Sequence, residues 1–180
     1  MADSNITKKA LASALKELME TTPFAKISVS DICEKCEMNR KSFYYHFKDK
    51  YDLVNWIFFT EAILPLHEQS YDRIKDVLPI ICRHLYDHRS FYRKAFQITG
   101  QNSFPEFFRD IFEPLLIKVS EKLMEDEKDR EFYLKFFAGS LITAIERWIK
   151  DPDCIPADEF IQKSRSCFIC IASKMMTYYT

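Results

Sequence analysis

Two glycines, Gly100 and Gly139, in 180 residues leave this chain almost nothing with which to turn a β-hairpin. The tight turns that join antiparallel strands need positive φ angles, which glycine supplies most easily. Yet 47% of the side chains are apolar, enough for a substantial core. They recur at three- and four-residue steps rather than alternating. An all-α fold satisfies both facts.

The first segment sets the pattern. Ile6, Ala10, Leu11, Ala14 and Leu18 fall on one side of a helix, with Lys8, Lys9, Lys16, Glu17 and Glu20 between them. Thr21-Thr22-Pro23 ends it, because the residue before a proline avoids helical geometry. Ser28-Val29-Ser30-Asp31 has the form of a capping box and opens a short helix with Val29, Ile32 and Cys33 turned inward. Cys36 to Asn39 make a turn whose last residue can cap a second short helix, Arg40 to Phe47. Two short helices joined this way form a helix-turn-helix.

On the second helix Arg40, Lys41, Tyr44, Tyr45 and Lys48 share an arc of about 140°, opposite Phe43 and Phe47. One side packs and the other is free to touch something. Residues 35–50 carry Lys35, Arg40, Lys41, Lys48 and Lys50 against Glu37 and Asp49, five against two, a local +3 in a chain of net charge −1. That balance suits a phosphate backbone.

A fourth helix is predicted from 52 toward 64, with Leu53, Val54, Ile57 and Phe58 along it and Pro65 marking its end or a kink. More are predicted over 74–88, 90–98, 104–124, 129–150 and 157–179. Ser103-Phe104-Pro105-Glu106 combines a cap, an early proline and an acidic residue, a strong helix start. The clearest loop of the body is 151–156. The expected organisation is a helix-turn-helix domain over 1–50 and a helical regulatory and dimerisation domain over 51–180, about nine helices in all.

Several function classes are disfavoured. The sequence has no nucleophile elbow, phosphate-binding loop or histidine-rich metal motif, so no enzyme and no cofactor is expected. Cys33-x-x-Cys36 and Cys167-x-x-Cys170 have zinc-knuckle spacing, but both lie in predicted helices about 130 residues apart. Structural thiols are the expectation, not a metal site. The N-terminus carries no secretory signal, and no uncharged apolar run approaches the ~20 residues of a membrane span. The expected location is cytoplasmic, away from membranes and with reduced thiols.

The run from Ile27 to Leu53 resembles the signature of the TetR family of transcriptional regulators. Tyr44, His46, Phe47, Lys50 and Leu53 meet its Tyr-x-His-Phe-x-x-Lys-x-x-Leu pattern, and the likeness spans roughly residues 6 to 55. The turn Trp148-Ile149-Lys150-Asp151-Pro152 and the tail are similar to the branch containing dihydroxyacetone-kinase operon regulators. One departure is Glu37, where the family usually has glycine. A left-handed backbone there would cost of order 1 kcal/mol.

The resemblance implies a homodimer that sets two recognition helices in major grooves of a near-palindromic operator on double-stranded DNA. Arg40 and Lys41 are placed to read bases, Arg40 by a bidentate contact to guanine. Ser42 and Tyr45 approach the groove floor or its wall. Tyr44, His46 and Lys50 hold the backbone, Lys48 can do either, and Ser28 completes the set.

In the body, Phe91-Tyr92, Phe107-Phe108, Phe132-Tyr133 and Phe136-Phe137 either line an effector pocket, as the family often has, or form plain core. The last two helices carry more apolar residues than one buried face needs. Phe136, Phe137, Leu141, Ala144, Ile145 and Trp148, with Phe160, Cys167, Phe168, Cys170, Ile171 and Met175, are the expected dimer interface. The signal that controls the body is a small molecule or a partner protein.

Overall fold

Spacing of the apolar residues becomes packing in the first helix, α1 (Ala2–Thr21), which buries Leu11, Ala12, Ala14, Leu15 and Met19. Ile6, expected on that face, is 65% exposed, because the packed surface begins only at Leu11. The computed structural model describes residues 2–67, 71, 73–121 and 128–179 and, except at 2, 3, 67, 168 and 171–179, their side chains.

A 3-10 turn (Phe24–Lys26) follows the Pro23 break. Then come α2 (Val29–Lys35), α3 (Arg40–His46) and α4 (Lys50–Phe58). Helix α4 does not stop at Pro65. It passes through a π-turn (Phe59–Ile63), where the Leu64 N–H donates to the Phe59 carbonyl, into α5 (Leu64–His67). Proline lacks an N–H for the carbonyl four residues back, and its ring crowds that carbonyl; a widened turn just upstream accommodates both.

The body continues with α6 (Ile74–Asp87), α7 (Arg89–Ala95), α8 (Phe104–Ser120), α9 (Arg130–Lys150) and α10 (Ala157–Tyr179). With 50–67 counted as one rod, the described residues hold nine helices and no strand. None of the described helices is long and apolar enough to cross a membrane.

One continuous core runs from Leu11 to Phe160. Its centre is a column of rings, Phe58, Tyr92, Phe96, Phe104, Phe108 and Phe112, in contact at centroid distances of 4.9 to 6.0 Å. Each such pair contributes roughly 0.5–1.5 kcal/mol beyond its buried area. Of the aromatic pairs expected to line a pocket or make core, Tyr92 and Phe108 are therefore core, packed ring on ring.

At the far end Trp148 lies flat between Tyr86 and Phe160, with interplanar angles of 6° and 9°. Its indole N–H donates to the Ile155 carbonyl at 2.8 Å. Arg93 donates to the carbonyls of Ile149, Asp151 and Pro152, closing the loop between α9 and α10.

Candidate nucleic-acid interface

The proposed reading surface stands on two caps. Ser28 has β-region backbone and its hydroxyl accepts from the Asp31 N–H at 3.2 Å, while the Asp31 carboxylate takes the Ser28 N–H at 2.7 Å. The Ser28 hydroxyl also donates to that carboxylate, at 2.8 Å. This is the capping box that the sequence predicts, and it engages the hydroxyl of a residue expected at DNA. Asn39 caps α3 by accepting from the Ser42 N–H at 2.8 Å.

Between the caps the chain turns through Glu37 at φ 56°, the left-handed backbone that glycine would take without strain. The Met38 N–H closes the turn on the Cys33 carbonyl at 2.8 Å. Cys36 donates its S–H to the Ile32 carbonyl at 3.2 Å, and burial pushes both the Cys33 and Cys36 thiols up. Such groups remain thiols and pack as small apolar residues.

Helix α3 is pinned by Phe43 and Phe47, 0% and 3% exposed, with ring centroids 5.8 Å apart. Phe47 meets Trp56 of α4 edge-on. The opposite arc stands free: Arg40, Lys41, Tyr44, Tyr45 and Lys48 are exposed, Tyr45 at 81%. Among the described residues no carboxylate forms a salt bridge with Arg40, Lys41 or Lys48. Arg40 leans on Tyr44, 3.4 Å from its hydroxyl and 5.8 Å from its ring centre. Ser42 is half-buried, and so is His46, whose ring packs edge-on against Tyr45.

Lys50 is placed differently from the expected backbone contact. Its ammonium donates inward to the carbonyls of Phe24 and Ile27, both at 2.7 Å, and to that of Ala25 at 3.4 Å, with the Phe24 ring 4.4 Å away. The Phe24 carbonyl also accepts the turn's own bond from the Ile27 N–H at 3.1 Å, and the lysine ties it to the carbonyls of Ala25 and Ile27. The sequence reading also missed Asp49. Its carboxylate accepts from the N–H groups of Tyr51 and Asp52 and starts α4 at Lys50, two residues earlier than expected. The signal was present in an aspartate followed three places on by another.

The expected dimer residues divide. Leu141, Ile145, Trp148 and Phe160 are 8% exposed or less within a single chain, so they belong to its own core and are not an outer face. Phe137 and Ala144 are half-buried, while Cys167 and Cys170 are exposed. The side chains of Phe168, Ile171 and Met175 lie outside the described residues. Of the expected residues Phe136 is 67% exposed, and it shares the apolar surface of α9 with Phe132 and Tyr133, 66% and 40% exposed, with Phe132 and Phe136 stacked at 6.2 Å. Among the described residues no group of three or more His, Cys, Asp or Glu side chains is placed to hold a metal ion.

Residues 11–57 match the family described as bacterial regulatory proteins, tetR family, and residues 72–168 match a family described as a transcriptional regulator C-terminal region. The chain is 33% identical over 143 residues to the HTH-type dhaKLM operon transcriptional activator DhaS of Lactococcus lactis subsp. lactis (strain IL1403). That alignment covers 79% of this chain and 74% of the relative. A solved structure of a dihydroxyacetone kinase operon activator, DhaS, superposes with a TM-score of 0.71 at 26% identity, covering 93% of this chain and 97% of that one. A TetR transcriptional regulator from Streptococcus agalactiae 2603V shares the fold, with a TM-score of 0.63 at 18% identity over 90% of this chain and 93% of that one. These relatives are regulators rather than enzymes. This chain is a member of the TetR family of bacterial transcriptional regulators, in the branch that includes DhaS.

Proposed function

We propose that the protein binds a near-palindromic operator as a homodimer, with residues 1–50 reading DNA and residues 51–180 dimerising and receiving the signal. The observation that carries this reading is the cationic, aromatic arc of α3, exposed on one side and anchored by two buried phenylalanines on the other. Arg40 and Lys41 meet base edges; Ser42 and Tyr45 approach the groove wall, and Tyr44, His46 and Lys48 lie along the phosphates. Ser28 supports the surface as the cap of α2. Lys50 acts from behind, holding the 3-10 turn on which α2 begins.

The dimer forms through the outer face of α9 with α10 beside it. Phe132 and Phe136 lead into the half-exposed Gly139, Ser140 and Thr143, small residues that let a partner helix approach closely. The Lactococcus lactis relative is a transcriptional activator, and the same sign of control is proposed here.

Control by an effector requires unequal affinity for two states of the body. A partner protein as the source of that signal is favoured by the ring column, whose six aromatic side chains pack on one another in the middle of the body. Selection of bound duplexes from a random pool by the purified protein tests the main reading. Enrichment of a two-fold symmetric site is expected; a pool that stays random, or enriches without symmetry, overturns it.

A further inference from the structure

Two lysines reach across the junction between the reading head and the body, and both act on α1. Lys16 of α1 points its ammonium at both oxygens of Glu61, each at 2.6 Å. The two side chains are only 27% and 34% exposed. From the other side Lys94 of α7 donates to the carbonyls of Met19 and Glu20, the latter at 2.7 Å. The last carbonyls of a helix have no internal partners, and α1 has no basic residue in its own last turn. The body therefore supplies the cap of a helix that belongs to the head.

Glu61 sits on the π-turn, facing more than Lys16. It acts electrostatically on His84 of α6 and Tyr92 of α7, whose side chains meet at 2.7 Å inside the body. Helix α1 in turn packs on α2 and α3, so its orientation sets where the recognition helix stands. A π-turn is one residue wider than the α-helical turn it replaces; tightening it would rotate Glu61 by about 100° relative to the helix beyond. A change in the body is thus able to withdraw the carboxylate from Lys16 without unfolding either part.

We propose that Lys16, Glu61 and Lys94 are positioning residues for operator recognition: they clamp α1 to the body and so fix the distance between the two recognition helices of the dimer. This rests on the reading of the chain as a DNA-binding homodimer. The three residues do not touch DNA; they act through α1. Losing the clamp leaves each head able to bind its half-site but no longer held at one spacing.

The experiment uses the full chain and two kinds of duplex, one carrying a single selected half-site and a series carrying two half-sites whose separation changes base pair by base pair. Affinities are read by fluorescence anisotropy at one salt concentration for the parent, Lys16→Met, Glu61→Gln, Lys94→Met and the swap Lys16→Glu with Glu61→Lys. Each single variant is expected to bind the parent's best spacing about tenfold more weakly, to discriminate less between spacings, and to bind the single half-site within about twofold of the parent. The swap is expected to recover the spacing profile. Unchanged profiles in the single variants, or equal losses on one and two half-sites, overturn the clamp. If Lys16→Met loses its thermal transition, Lys94→Met on the opposite side of the junction must give the same signature by itself. A parent that binds no two-half-site duplex overturns the homodimer reading, an outcome distinct from failure of the clamp.

Discussion

At the scale of single residues, the environment decides what each group is for. His84 is pushed down to about 4 by burial and by the neighbouring His88, so it is neutral near pH 7 and shares a hydrogen bond with the Tyr92 hydroxyl, which burial keeps protonated. The unfolded chain takes up this proton near pH 6.5. Between the two values the unfolded state binds more protons, so stability complete above pH 6.5 is lost as pH falls toward 4, by ~3 kcal/mol. Urea midpoints measured across that range are expected to fall less steeply for His84→Gln, which keeps a hydrogen-bond partner for Tyr92; equal slopes would assign the loss to another group. Glu37→Gly is expected to stabilise by about 0.5–1 kcal/mol, the relief of left-handed strain less the added chain entropy of glycine. Lys50→Met removes the donor to three carbonyls and is expected to cost about 2 kcal/mol while leaving the salt dependence of DNA binding unchanged. A flattened salt slope in Lys50→Met would return that lysine to the phosphates.

Among the elements, most of the helices were legible because their signals are local. Ser28 with Asp31 and Asn39 before Arg40 are caps written within four residues, and both occur where the sequence puts them. The limits of α9 and α10 follow from the proline-rich 151–156 loop, and the structure starts α10 at Ala157 as expected. Pro65 was ambiguous between an end and a kink, since proline dictates only that the regular ladder break. The choice of a π-turn over a stop depends on Ala62, Ile63 and Leu66 finding core to fill, which the local sequence does not contain. The inward turn of Lys50 was hidden for the same reason: its acceptors lie 23 to 26 residues earlier. Ser28→Ala is expected to cost about 1 kcal/mol; with only a local fold at stake, the loss should register in hydrogen exchange of α2 before it registers in the body.

Over the whole molecule, periodicity identifies apolar faces but not which of two surfaces covers them. Leu141 and Ile145 have the spacing of an interface, yet the chain's own core takes them, while Phe136 of the same expected set stays open beside Phe132, which is not in it. Phe136→Glu is accordingly expected to shift the protein from dimer to monomer in sedimentation while its helical circular dichroism is retained. Leu141→Ala, by contrast, is expected to cost ~2–5 kcal/mol of folding stability. A Phe136→Glu protein that sediments as a dimer would place the interface elsewhere. The stacking of Trp148 between Tyr86 and Phe160 has an optical consequence. Trp148 and Trp56 are the chain's two tryptophans, one sandwiched in the body, the other on α4 against Phe47 of the head. With Trp56→Phe or Trp148→Phe in place, the emission of the remaining indole reports on one end of the molecule alone, so the arrival of a signal and its delivery can be timed separately without any attached dye.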